Sequence, residues 1–103
     1  MTILIKGKDR MRIRIDPHTL ERAAERGAKE EEIQEVINTG LPIPGKYGRF
    51  GKFKIFDFRE KRHGKFFQQK RIEVFYAIQE DVIITIIVYV FYGKWEVKNA
   101  NSI

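Results

Sequence analysis

Between Val82 and Tyr92 the chain is apolar at every position except Thr85, and this run constrains the architecture more than any other segment. It is far shorter than a membrane-spanning helix, and its valines, isoleucines and aromatics are strand formers. A strand that is apolar on both faces belongs inside a sheet, covered on both sides. The preceding run, Arg71 to Gln79, alternates, with Ile72, Val74, Tyr76 and Ile78 on one face, and Glu80-Asp81 makes a tight turn between the two. Phe53 to Arg59 reads as a further strand, followed by a basic loop from Glu60 to Lys65. Met11 to Ile15 alternates strictly, as a short half-buried strand does.

Two helices separate the early strand from the late ones. Asp16 can cap the first free amides, Pro17 suits the first helical position, and Gly27 ends the helix that they begin. Leu20, Ala23, Ala24 and Gly27 form its apolar stripe. The second helix, from Ala28 to Asn38, is acidic in its first turn, as the helix dipole prefers, and Ile33, Val36 and Ile37 form its seam. Leu41-Pro42-Ile43-Pro44-Gly45 cannot be helical and reads as a connector. The expected fold class is α+β: a strand, then two N-terminal helices packed on one face of a mainly antiparallel sheet of about four strands. Residues 1–103 suffice for one core and one domain. The tail from Glu96 to Ile103 is expected to fray.

With 43% hydrophobic and 33% charged residues the chain is of the soluble, globular kind. It contains no cysteine, which rules out disulfides, a thiol nucleophile and Cys-based metal sites and fits a reducing cytosol. Met1 to Lys6 is too short for a signal-peptide core, so a cytoplasmic location is expected. The formal net charge of +6 is unevenly spread. Residues 46–71 carry ten bases against two acids, whereas residues 16–40 carry three bases against seven acids. A concentrated positive field attracts polyanions, nucleic acid first among them. Arg49, Lys52, Lys54, Arg59, Arg62, Lys65, Lys70 and Arg71 are the candidate nucleic-acid-binding residues.

His18, Arg22 and Arg26 recur four residues apart, in one row of the first helix. An imidazole that moves a proton near neutral pH thus stands beside two permanent cations, a set suited to a phosphate ligand. Glu21 and Glu25 are interleaved with them, so an ion-paired, solvated face is the competing reading. For metal-independent RNA cleavage, His18 is the candidate acid or base, Arg22 and Arg26 would hold the phosphate, and Glu73 would be a base or would orient His18. Tyr76 and Tyr89 are candidates for base stacking, with ordinary core packing as the simpler account. His18, His63 and Asp57 share no metal-ligand spacing, and no nucleotide-binding loop or dinucleotide fingerprint is present, so neither a metal nor a cofactor is expected.

The order of elements resembles the RelE/ParE-like toxins and the wider superfamily of small microbial ribonucleases that share their fold. Four stretches look more specifically like the small family called domain of unknown function 4258: His18-x3-Arg22-x3-Arg26-Gly27, Glu32-Ile33-x2-Val36-Ile37-x2-Gly40, Lys70-Arg71-Ile72-Glu73-Val74-x-Tyr76, and Tyr92-Gly93-Lys94-Trp95. Where that family usually carries Thr-Val-Tyr, this chain has Ile87-Val88-Tyr89. The resemblance implies a RelE-like fold, and RNA binding with or without cleavage. Three readings stay open: a metal-independent endoribonuclease, a non-catalytic nucleic-acid-binding module, and a protein-interaction module whose strand edges pair with an antitoxin-like partner.

Overall fold

The computed structural model describes residues 2–4 and 11–95, with side chains described for 11–95. Its elements in chain order are β1 (Thr2–Leu4), β2 (Arg12–Ile15), α1 (Pro17–Arg26), α2 (Glu30–Thr39), β3 (Leu41–Ile43), β4 (Phe50–Arg62), β5 (Lys65–Gln79) and β6 (Val82–Gly93). The tail expected to fray, Glu96 to Ile103, lies outside the described residues, as do the basic residues Lys6, Lys8 and Arg10.

The strands form one six-stranded sheet in the order β1-β2-β6-β5-β4-β3. This corrects the expected fold class. The sheet has six strands instead of about four, and it is mixed, because β2 pairs parallel with β6, Arg12 opposite Val82 through Ile15 opposite Thr85. Among the described residues four of the five pairings are antiparallel, but the expected RelE-like arrangement of about four strands is not the one observed. β1 and β3 are only three residues each, too short to show a period. The parallel pair joins strands separated by both helices and two long strands, so no local pattern announces it.

Three further details differ from expectation. The presumed connector contains β3, an edge strand on β4, and an edge tolerates Pro42 because its ring need not donate to a second neighbour. The presumed basic loop shrinks to His63-Gly64, both at positive φ (53° and 80°), as a two-residue hairpin turn requires. β6 does lie inside the sheet, but only one of its faces is covered: Tyr89 and Phe91 remain 39% and 46% exposed.

α1 and α2 contribute Ala23, Ile33, Val36 and Ile37 to one core cluster with Ile13 and Ile15 of β2, Ile72 and Val74 of β5, and Val88 of β6. Ala24, expected in the apolar stripe, is exposed. Asp16 precedes α1 without a side-chain cap, and its carboxylate lies 3.9 Å from Arg14 Nε. α2 is capped differently from a Ser or Thr box. The Lys29 amide donates to Glu32 Oε1 at 2.9 Å, and lysine has no acceptor with which to complete the reciprocal bond.

The C-terminus of α1 is held by three strands at once. Arg62 Nη2 of β4 donates to Glu25 O (2.7 Å), Tyr92 Oη of β6 to Arg26 O (2.8 Å), and Lys70 Nζ of β5 to Gly27 O (2.8 Å). These are carbonyls that a helix end leaves without intrahelical partners. Gly27 is required there twice over. Its φ of 103° is left-handed, and a β-carbon would collide with the Tyr92 hydroxyl. The result fixes where α1 ends and how that end sits on the sheet.

Candidate nucleic-acid interface

β2 ends opposite Thr85, so from Ile86 onward the outer edge of β6 has no strand partner among the described residues. α1 lies against this stretch of β6, and Arg26 Nη1 donates to Val88 O at 3.1 Å, meeting one of the edge carbonyls. His18, Arg22 and Arg26 then form one wall of a cleft of about 190 Å³, with Ile86, Ile87 and Val88 opposite. The row predicted from spacing thus borders a cleft. His18 and Arg22 are exposed, and among the described residues neither makes an ion pair or hydrogen bond, Glu21 and Glu25 included. The competing picture of an ion-paired face is not what the helix shows.

Glu73 is placed elsewhere. It sits on the uncovered face of β5, opposite Tyr89 in register, and accepts from Arg71 Nε at 2.9 Å. It does not line the His18 cleft. Tyr76 is buried on the helix-covered face, stacked on Phe50 with 5.7 Å between centroids, and burial raises its phenol above the ordinary value of 10.0. His63 is at the tip of the β4–β5 hairpin, and among the described residues no three His, Asp or Glu side chains are grouped to hold a metal ion.

The basic segment is brought together mainly with the protein itself. Lys70 is 6% exposed and pairs with Glu32 at 2.9 Å besides capping Gly27. Lys52 Nζ donates to Ile37 O at 2.7 Å, and Lys54 Nζ bonds Glu35 and Thr39, so both tie β4 to the end of α2. Arg62 lies over the Tyr92 ring (4.9 Å) while capping Glu25, and Arg71 lies over Phe53 (3.8 Å) while pairing with Glu73. Arg49, Arg59 and Lys65 are exposed, with Arg59 3.9 Å from Asp57 and Lys65 over Phe67. Two ion pairs, Lys54 with Glu35 and Lys70 with Glu32, thus join the basic strands to the acidic α2.

Spacing did not reveal a second concavity. About 310 Å³ in volume, it is floored by Phe75, Ile87 and Tyr89 and walled by the β3–β4 turn, with Pro44, Lys46, Tyr47 and Arg49. Ile87 lines this hollow and the His18 cleft alike, and the Arg26 guanidinium carbon is 5.8 Å from the Tyr89 ring centroid. Its signal in the sequence was faint: Phe75 falls, by period two, on the same face as Arg71 and Glu73, which reads as an ordinary outer face.

The site thus joins an exposed imidazole and guanidinium, His18 and Arg22, through Arg26 to partly exposed aromatics and two further cations. The chain itself belongs to the family described as Domain of unknown function (DUF4258), which matches residues 15–92 and so includes α1 and nearly all of β6. No curated protein and no solved structure matches it.

Proposed function

We propose that this protein binds RNA through its sugar-phosphate backbone, with the backbone lying in the α1–β6 cleft on His18, Arg22 and Arg26. One observation carries this reading: His18 and Arg22 are exposed in a cleft without an ion pair among the described residues, whereas Lys52, Lys54, Arg62 and Lys70 are engaged within the fold. Cations left unpaired in a concave site keep their field for a ligand. In this reading the protein works in the cytoplasm. No helix among the described residues is long and apolar enough to cross a membrane.

The test is fluorescence anisotropy with a labelled single-stranded RNA. Wild type should bind at low salt, and Arg22→Ala should weaken binding severalfold with an unchanged circular dichroism spectrum. No binding by wild type at low ionic strength would overturn the proposal and favour an antitoxin-like protein partner.

Cleavage is the second reading, and the free His18 beside Arg22 favours it. His18 would take the 2′-hydroxyl proton as that oxygen attacks phosphorus. The bond to the 5′-oxygen breaks, that oxygen takes a proton from water, and the two guanidiniums hold the charge of the phosphorane. Among the described residues no carboxylate or second imidazole lines the cleft to serve as a partner acid, so binding is the better supported of the two. If cleavage occurs, the products carry 2′,3′-cyclic phosphate ends and His18→Ala abolishes them. Cleavage that persists in His18→Ala would sink this assignment.

A further inference from the structure

We propose that the hollow floored by Phe75, Ile87 and Tyr89 is a stacking site for one unpaired nucleobase of the same RNA strand whose phosphate lies at His18 and Arg22. This rests on the reading above and extends it to a ligand class: single-stranded RNA with a base turned out of any helix.

Four observations converge on it. The hollow and the cleft share Ile87, and Arg26 bridges them by lying near the Tyr89 ring, so one continuous strand passes from cation to aromatic. Phe75 and Tyr89 meet edge to face with 6.0 Å between centroids, which holds both rings at a set angle under the opening. Tyr47 stands 90% exposed, held out by a turn in which Tyr47 and Gly48 have φ of 58° and 74° and the Arg49 amide donates to Lys46 O at 3.1 Å. A large ring kept in water by a backbone conformation that ordinary residues avoid is placed for contact, not for the core. Among the described residues Lys46 and Arg49 at the rim make no ion pair, and no carboxylate lines the hollow.

The chemistry of the walls selects the occupant. Rings, aliphatic surface and two cations complement a flat base that carries a phosphate, and among the described residues no side-chain amide or carboxylate lines the hollow to read the base edge. Recognition is therefore by stacking and is tolerant of sequence. Inside a duplex each base is covered on both faces by its neighbours, so only the terminal pairs could offer a face to this floor.

The experiment compares three ligands of one length on the full chain: a single-stranded RNA, the same strand with abasic riboses at its centre, and a blunt RNA duplex. The abasic strand should bind on the order of tenfold more weakly than the ordinary one, as loss of a stacked base implies, and the duplex more weakly still. Tyr47→Ala, at a position 90% exposed, and Tyr89→Leu should each narrow the gap between ordinary and abasic strands. Arg22→Ala should weaken both strands by the same factor. Equal affinity for ordinary and abasic strands, with binding otherwise intact, would overturn the stacking site and leave the phosphate site standing. Tighter binding of the duplex would also overturn it. Failure of every ligand to bind would remove the underlying RNA reading as well.

Discussion

Lys70 shows how one residue can be misjudged from a linear sequence. It lies two positions before Ile72 on the strand face that also carries Val74 and Tyr76, so period two places its stem among buried side chains. Charge composition, by contrast, groups it with the basic residues from 46 to 71 as a nucleic-acid ligand. Burial wins because its ammonium finds Glu32 and the Gly27 carbonyl. Removing one member of such a pair leaves the other poorly compensated. Lys70→Met is expected to cost about 3 kcal/mol in urea unfolding. Glu32→Gln keeps an acceptor for the Lys29 amide, so the double variant should cost about 1 to 2 kcal/mol less than the sum of the single ones. Strict additivity would show that the pair is not coupled.

At the scale of elements, α1 was readable from end to end, since Pro17 and Gly27 mark its limits by backbone chemistry alone. What holds its C-terminus was not readable, because Arg62, Lys70 and Tyr92 come from three strands far along the chain. Tyr92 gives this junction a pH dependence. Burial raises its phenol above 10.0, with Arg62 opposing and Glu32 adding to the rise, and burial also raises that of Tyr76. A raised phenol binds its proton more tightly in the folded state. The stability it contributes is fully present below about pH 10 and is lost as pH rises from there through the folded-state value. Urea midpoints should fall above about pH 10, and Tyr92→Phe should flatten that fall while lowering stability at neutral pH through loss of the bond to Arg26 O. An alkaline limb unchanged in Tyr92→Phe would exclude Tyr92 as its source.

For the whole molecule, the long strands and both helices could be read from periodicity, whereas the sheet order could not. The β2–β6 pairing depends on which distant strand finds the exposed side of β6, and no spacing in the sequence encodes that choice. The same pairing explains the candidate site. Because β2 stops at Ile15, the next stretch of β6 is left to α1, and His18, Arg22 and Arg26 line the cleft that results. The row was visible in the sequence; the hollow with Tyr47, Phe75 and Tyr89 beside it appears only once the β3–β4 turn folds over the open face. The net positive charge of the segment from 46 to 71 is a coarse guide to the site: Lys46 and Arg49 border the hollow, whereas Lys54 and Lys70 pair with α2.

The most direct test of phosphate binding in the α1–β6 cleft is the salt dependence of RNA affinity for wild type, Arg22→Ala and Arg59→Ala, the last being an exposed cation outside the cleft. Each phosphate contact on a single strand contributes about 0.7 to the slope of log affinity against log salt. Arg22→Ala should therefore bind more weakly and with a slope shallower by about 0.7, while Arg59→Ala matches wild type. Equal slopes and affinities for wild type and Arg22→Ala, or a loss in Arg59→Ala as large as that in Arg22→Ala, would contradict it.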